Sequence, residues 1–143
     1  GLGFHCFLRT GEILSVRPID LLLKANSGIV TLPHSKGGTR HNVKESVTIF
    51  DPVLIVLLEE MLVAKRASGL MKVPIWTKNG TAFRKAFEKL TVFFGIQDMN
   101  FRGYSLRRGG ATAYFRDCGL MEKTLLRGRW SSVQVARLYL VPL

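Results

Sequence analysis

Cysteine is nearly absent: Cys6 and Cys118 are the only two in 143 residues. Two thiols make no disulfide framework, and neither has a partner at metal-ligand spacing. They read as small buried apolar residues of a reducing compartment. Acidic residues are also scarce. There are 10 against 21 lysines and arginines, which leaves a formal charge of +11. No zinc pattern, Gly-rich phosphate loop or Ser-His-Asp signature is present. Long apolar runs are missing too. The longest, Pro52–Leu58, is stopped by Glu59 and Glu60, well short of the about 20 residues a bilayer span needs. It reads as a core helix. No signal peptide is visible. The chain opens at Gly1 without an initiator Met, so the expectation is a segment cut from a longer protein.

What is present is apolar and basic. With 47% apolar residues the chain can bury a core, as a disordered tail cannot. Its length suits one domain. A basic excess of this size on a folded domain points to a polyanionic partner, usually nucleic acid, against the blander reading of a merely soluble basic protein.

Leu2–Leu14 is apolar at helical spacing (Phe4, Phe7, Leu8, Ile13, Leu14), which predicts one opening helix ended by Arg17-Pro18. Three short segments follow, Ile19–Leu23, Ile29–Leu32 and Ser46–Phe50, separated by turn residues. They predict a small three-stranded antiparallel sheet. Asp51-Pro52 is an N-cap followed by proline, and starts a helix to about Ser68, before Gly69. Further helices are expected over Thr81–Gly95, Ser105–Asp117, Met121–Arg127 and Ser132–Leu140. The expected class is α+β and mainly helical: a helix, a three-stranded sheet, then a helical bundle.

Five phrases occur in order along this framework. They are Phe7-Leu8-Arg9-Thr10-Gly11-Glu12, a turn holding Lys36-Gly37-Gly38, Tyr104-Ser105-Leu106-Arg107, Gly128-Arg129-Trp130-Ser131, and Arg137-Leu138-Tyr139. Singly each is unremarkable: an arginine near a glutamate is usually an ion pair, and a late tyrosine is usually packed. Together they resemble the catalytic domain of the tyrosine recombinases, the phage-integrase family, from Leu8 to Tyr139. In that resemblance Arg9 is the first arginine, and Glu12 the acid that helps hold it. Lys36 is the lysine between the second and third strands. Arg107 is the arginine of an HxLR phrase, and Trp130 stands where members carry histidine or tryptophan. Tyr139, nine residues beyond Trp130, is the nucleophile.

The resemblance implies DNA strand cleavage and rejoining through a 3′-phosphotyrosyl bond, in site-specific recombination or integration by a mobile element. The protein–DNA bond stores the energy of the broken strand, so neither ATP nor a metal or other cofactor is implied. Two guanidiniums, Arg9 and Arg107, suit the charge that builds on the phosphate oxygens. Such donors are each worth about 3 kcal/mol of barrier. Lys36 would protonate the leaving 5′-oxygen. The indole N–H of Trp130 donates but moves no proton. The chain departs from the family at Tyr104, which replaces the HxLR histidine. With Trp130 also replacing histidine, no imidazole remains to take the proton of Tyr139.

From Arg102 to Arg137 there are eight basic residues against two acidic, a net +6. Arg108, Arg116, Arg127 and Arg129 are candidate contacts to the phosphates of double-stranded DNA. The family further implies self-association on DNA as a synaptic tetramer and an intracellular location with DNA, nucleus or nucleoid. It also implies a separate N-terminal DNA-clamping domain, so residues 1–143 read as a single catalytic domain without that partner. Three alternatives stay open: a type IB topoisomerase-like enzyme, an inactive DNA-binding relative of the same fold, and a basic RNA-binding domain. No RNA-binding motif supports the last.

Overall fold

The computed structural model describes residues 1–33, 35, 38 and 43–140. They form two compact units. The first comprises Gly1 and Gly11–Thr77, the second Leu2–Thr10 and residues from Lys78 onward. In chain order the elements are α1 (Leu2–His5), α2 (Thr10–Ser15), β1 (Leu21–Lys24), β2 (Ser27–Leu32), β3 (Glu45–Ile49), α3 (Pro52–Ala67), α4 (Gly80–Phe93), α5 (Gly103–Cys118), α6 (Met121–Gly128) and α7 (Val133–Arg137). The class is α+β, mainly helical, with one three-stranded antiparallel sheet, as expected.

In the first unit β1, β2 and β3 are neighbours in that order. The register sets Leu21 opposite Val30 and Val30 opposite Val47. These three side chains, with Leu32 and Ile49, are buried. That follows from the two-residue period of a strand, which puts them on one face. α3 packs on β2, and Leu54, Ile55, Leu58 and Leu62 are its buried residues. Asp51 starts it as the sequence predicts: its carboxylate accepts from the Leu54 backbone N–H at 2.7 Å, and Pro52 follows. The Pro52–Leu58 run is not buried all round, however. Val53, Val56 and Leu57 are 66%, 53% and 57% exposed, so the helix is half-covered rather than a core helix.

The second unit is helical. α1 lies against α5, α5 against α6, and α6 against α7. Gly110 is why α1 and α5 come so close: a Cβ there would be driven into the Phe4 carbonyl. The core of this unit is Phe7, Ala111, Trp130 and Ala136, with Tyr114, Met121, Leu125, Tyr139 and Leu140 packed on it.

The expected single helix over Leu2–Leu14 is a correction. Two short helices stand there, with a break at Phe7, whose φ is 51°. A left-handed conformation costs a bulky L-residue about 1–2 kcal/mol, so it persists only where surroundings enforce it. Cys6, Phe7 and Leu8 are all fully buried. Apolar periodicity survives the break because all three side chains point into protein.

Burial pushes the Cys6 thiol up from its ordinary 9.0 to about 11, against the opposing pull of Arg127 and Arg129. Its neutral form is favoured in the folded state. The contribution is therefore complete below pH about 9 and lost as pH rises through about 11. We predict that iodoacetamide at pH 8 labels Cys118 and spares Cys6 until the chain is unfolded. Equal labelling of both thiols by the folded protein, read by peptide mass, would contradict the burial of this break.

Candidate active site

Arg107 stands on the inner face of α5 and is completely buried. Burying a guanidinium is unfavourable unless its donors are met. Here Nη1 donates to the Phe7 carbonyl, and Nη2 donates to the Gly128 carbonyl at 2.7 Å. Both acceptors belong to unusual turns. Phe7 is itself left-handed, and Gly128 is followed by Arg129 at φ 56°, the left-handed cap of α6. One planar fork thus joins two turns more than a hundred residues apart in sequence.

Each turn carries a residue singled out from the sequence. Arg9 lies two residues past Phe7 and is half-buried. Trp130 lies two residues past Gly128 and is buried, its ring close enough to Gly128 that no Cβ would fit there. The Arg107 guanidinium sits 4.8 Å from the Trp130 ring centre and 5.2 Å from that of Tyr139. Trp130 and Tyr139 are 4.9 Å apart, and Tyr139 and Tyr104 5.6 Å. Arg107, Trp130, Tyr139 and Tyr104 are therefore one cluster. Desolvated cation–π contacts of this kind are worth about 2 kcal/mol. α7 delivers Tyr139: Ser132 caps it by accepting from the Val135 N–H at 3.3 Å, and buried Ala136 anchors it in the core.

Tyr104 is on α5, one turn before Arg107, and 49% exposed. Burial raises its phenol above the ordinary value. The neighbouring Tyr139, by charge and hydrogen bonding, raises it further, while Arg108 and Arg107 lower it. The Trp130 indole N–H is buried with no acceptor among the described residues.

The other candidates are placed differently. Arg127 donates to the His5 carbonyl at 2.6 Å and lies over Phe7 and Tyr114, at 5.5 and 5.2 Å from the ring centres. Arg108 and Arg129 are half-buried beside the cluster's elements. Arg116 is exposed nine residues along α5 from Arg107, about 13 Å up the helix axis. Glu12 is buried within α2 of the first unit. Lys36 lies outside the described residues, with His34 and His41. Among the described residues no three His, Cys, Asp or Glu side chains gather as a metal site, and no helix is long and apolar enough to cross a membrane. A separate apolar cleft of about 370 Å³, lined by Phe4, Phe87, Phe94 and Leu106 among others, includes none of Arg9, Tyr104, Arg107, Trp130 or Tyr139 in its lining.

Sequence reasoning missed the backbone half of the site. Phe7 and Gly128 matter through their carbonyls, and Tyr114 through its ring beneath Arg127. The signals were the glycine before Arg129-Trp130 and the Gly109-Gly110 pair inside a helical pattern, where glycine usually marks close packing.

Arg107→Lys tests the fork directly. An ammonium is a point charge and cannot reproduce a planar pair of donors. We predict a loss of about 3 kcal/mol in urea unfolding. A change under about 0.5 kcal/mol, the size of an ordinary surface substitution, would mean the two carbonyls do not depend on it.

No family model and no curated protein matches the sequence. Solved structures do match in shape. One is the site-specific recombinase XerH bound to its difH substrate in a pre-cleavage complex, at TM-score 0.76 and 16% identity over 96% of this chain. Another is XerH on palindromic difH in a post-cleavage complex, at TM-score 0.74 and 16% identity, again over 96% of this chain. The chain spans about two fifths of either XerH chain, 40% and 39%. Its fold is that of the tyrosine recombinase catalytic domain.

Proposed function

We propose that the protein cleaves and rejoins double-stranded DNA with Tyr139 as nucleophile, in site-specific recombination or integration. The observation that carries this reading is the convergence of Tyr139, Trp130 and Arg107, far apart in sequence, within 4.8–5.2 Å of one another. The shared fold with a DNA-bound site-specific recombinase supports it, as does the charge of +11.

Each side chain has a role its chemistry allows. Tyr139 attacks phosphorus and holds the strand as a phosphotyrosyl ester. Arg9 and Arg107 stabilise the charge on the phosphate oxygens, Arg107 also by fixing the turns around it. The Trp130 N–H, buried without an acceptor, suits a non-bridging oxygen. Lys36 supplies the proton for the leaving 5′-oxygen, and Glu12 supports Arg9; both assignments come from the sequence resemblance. Arg108, Arg116 and Arg129 contact flanking phosphates. Arg127, tied to His5 and two rings, contributes less to DNA and more to the turn at Phe7. The active species is an assembly of several copies on DNA, working where the DNA is.

A second reading, an inactive DNA-binding relative, is favoured by one observation: Arg107 exposes no surface to a phosphate. One experiment separates the two. Incubated with a random-sequence pool of nicked, labelled duplexes, the protein is expected to form an adduct stable to boiling detergent, and Tyr139→Phe to abolish it. DNA binding with no adduct selects the inactive relative. An adduct that survives Tyr139→Phe discards this nucleophile.

A further inference from the structure

We propose that Tyr104 relays the proton that Tyr139 releases when it attacks phosphorus. The proposal rests on the reading of Tyr139 as nucleophile.

A phenol with an ordinary pKa near 10 must lose its proton as its oxygen bonds to phosphorus. Among the described residues, the rings and cations packed on the Tyr139 ring are Trp130, Arg107 and Tyr104, at 4.9, 5.2 and 5.6 Å. An indole N–H only donates. A guanidinium only donates and does not lose its proton in proteins. The Tyr104 hydroxyl both donates and accepts, and is alone among the three in doing so. Tyr104 is also 49% exposed, so a route onward to solvent lies beside it. α5 fixes the geometry: Tyr104 and Arg107 are three residues apart and so share a helix face.

The charged groups around Tyr104 define what it can do. Tyr139, Arg107 and Arg108 face it, and the balance of burial and these neighbours lifts its phenol above the ordinary value. Tyr104 is then neutral at physiological pH. It acts as a relay, not as a standing tyrosinate base. As Tyr139 Oη bonds to phosphorus, the bond from phosphorus to the 5′-oxygen breaks. The Tyr139 proton passes to Tyr104 Oη while the Tyr104 proton passes to water, and Tyr104 ends as it began. The 5′-oxygen takes its proton from a separate donor, the role given to Lys36. Rejoining runs the same transfers in reverse.

The test is single-turnover adduct formation on the random-sequence nicked duplexes as a function of pH. It compares the protein with Tyr104→Phe and Tyr104→His. Phenylalanine keeps the ring contact with Tyr139, and thermal unfolding checks that each variant folds. Tyr104→Phe is expected to slow the adduct roughly a hundredfold at neutral pH, the scale of one acid–base group. Its rate should then climb with pH as hydroxide takes over as acceptor. Tyr104→His should recover the rate with a titration near the imidazole pKa of about 6.5. An unchanged rate and pH profile in Tyr104→Phe overturns the relay and leaves Tyr139 as nucleophile. Equal slowing of both variants with the parent pH profile makes Tyr104 a packing residue and also overturns it. If no form of the protein yields an adduct, the nucleophile reading fails, and the relay fails with it.

Discussion

A guanidinium buried without contact with water sits where the second unit's chain turns meet. Arg107 donates to Phe7 and Gly128 and lies against the Trp130 and Tyr139 rings. Both backbone acceptors belong to turns the local sequence would not choose. Phe7 is left-handed, Arg129 is left-handed, and Gly128 has no room for a side chain beneath Trp130. Backbone strain of this kind costs about 1–3 kcal/mol per position, and charge-assisted hydrogen bonds are of the size needed to offset it. The cation and the strained turns therefore require each other. Without the turns the charge lacks acceptors; without the charge the turns relax.

That mutual dependence places the chemistry. The fork aims at backbone, so it ties turns rather than side chains, and Arg9 and Trp130 each lie two residues past one of those turns. Tyr139 closes the cluster from α7, a helix of only five residues fixed by a serine cap and one buried alanine. So short a helix gains little from its own hydrogen bonds, so the cap and the buried alanine hold it in place. Tyr139, the nucleophile in the proposed reading, lies two residues beyond the end of that helix.

Much of this was legible in the sequence. The strands were found within two residues because β-branched and leucine runs are bounded by Asn-Ser-Gly and Pro turns. Asp51-Pro52 announced α3, and Gly119 announced the end of α5, where it takes φ 66°. Arg107, Trp130 and Tyr139 were picked out as well, but only through the order and spacing of the family they resemble. What sequence could not give was long-range. Nothing near Phe7 signals its left-handed turn, which answers to a side chain 100 residues away. Apolar periodicity read straight through it, since Cys6, Phe7 and Leu8 are all buried. The proximity of Tyr104 to Tyr139 was equally hidden. The sequence showed a tyrosine where the family it resembles carries histidine, but not that its ring packs on that of Tyr139.

The most direct test of Tyr139 as nucleophile is the chemical identity of the DNA attachment point. The denatured adduct is trimmed with nuclease, digested with trypsin and weighed by mass spectrometry. Trypsin cuts after Arg137 and after Arg102 and Arg107, so Tyr139 and Tyr104 fall on different peptides. The account predicts a nucleotide on the peptide that begins at Leu138. A nucleotide on the peptide that begins at Gly103, or on no tyrosine peptide at all, would contradict it.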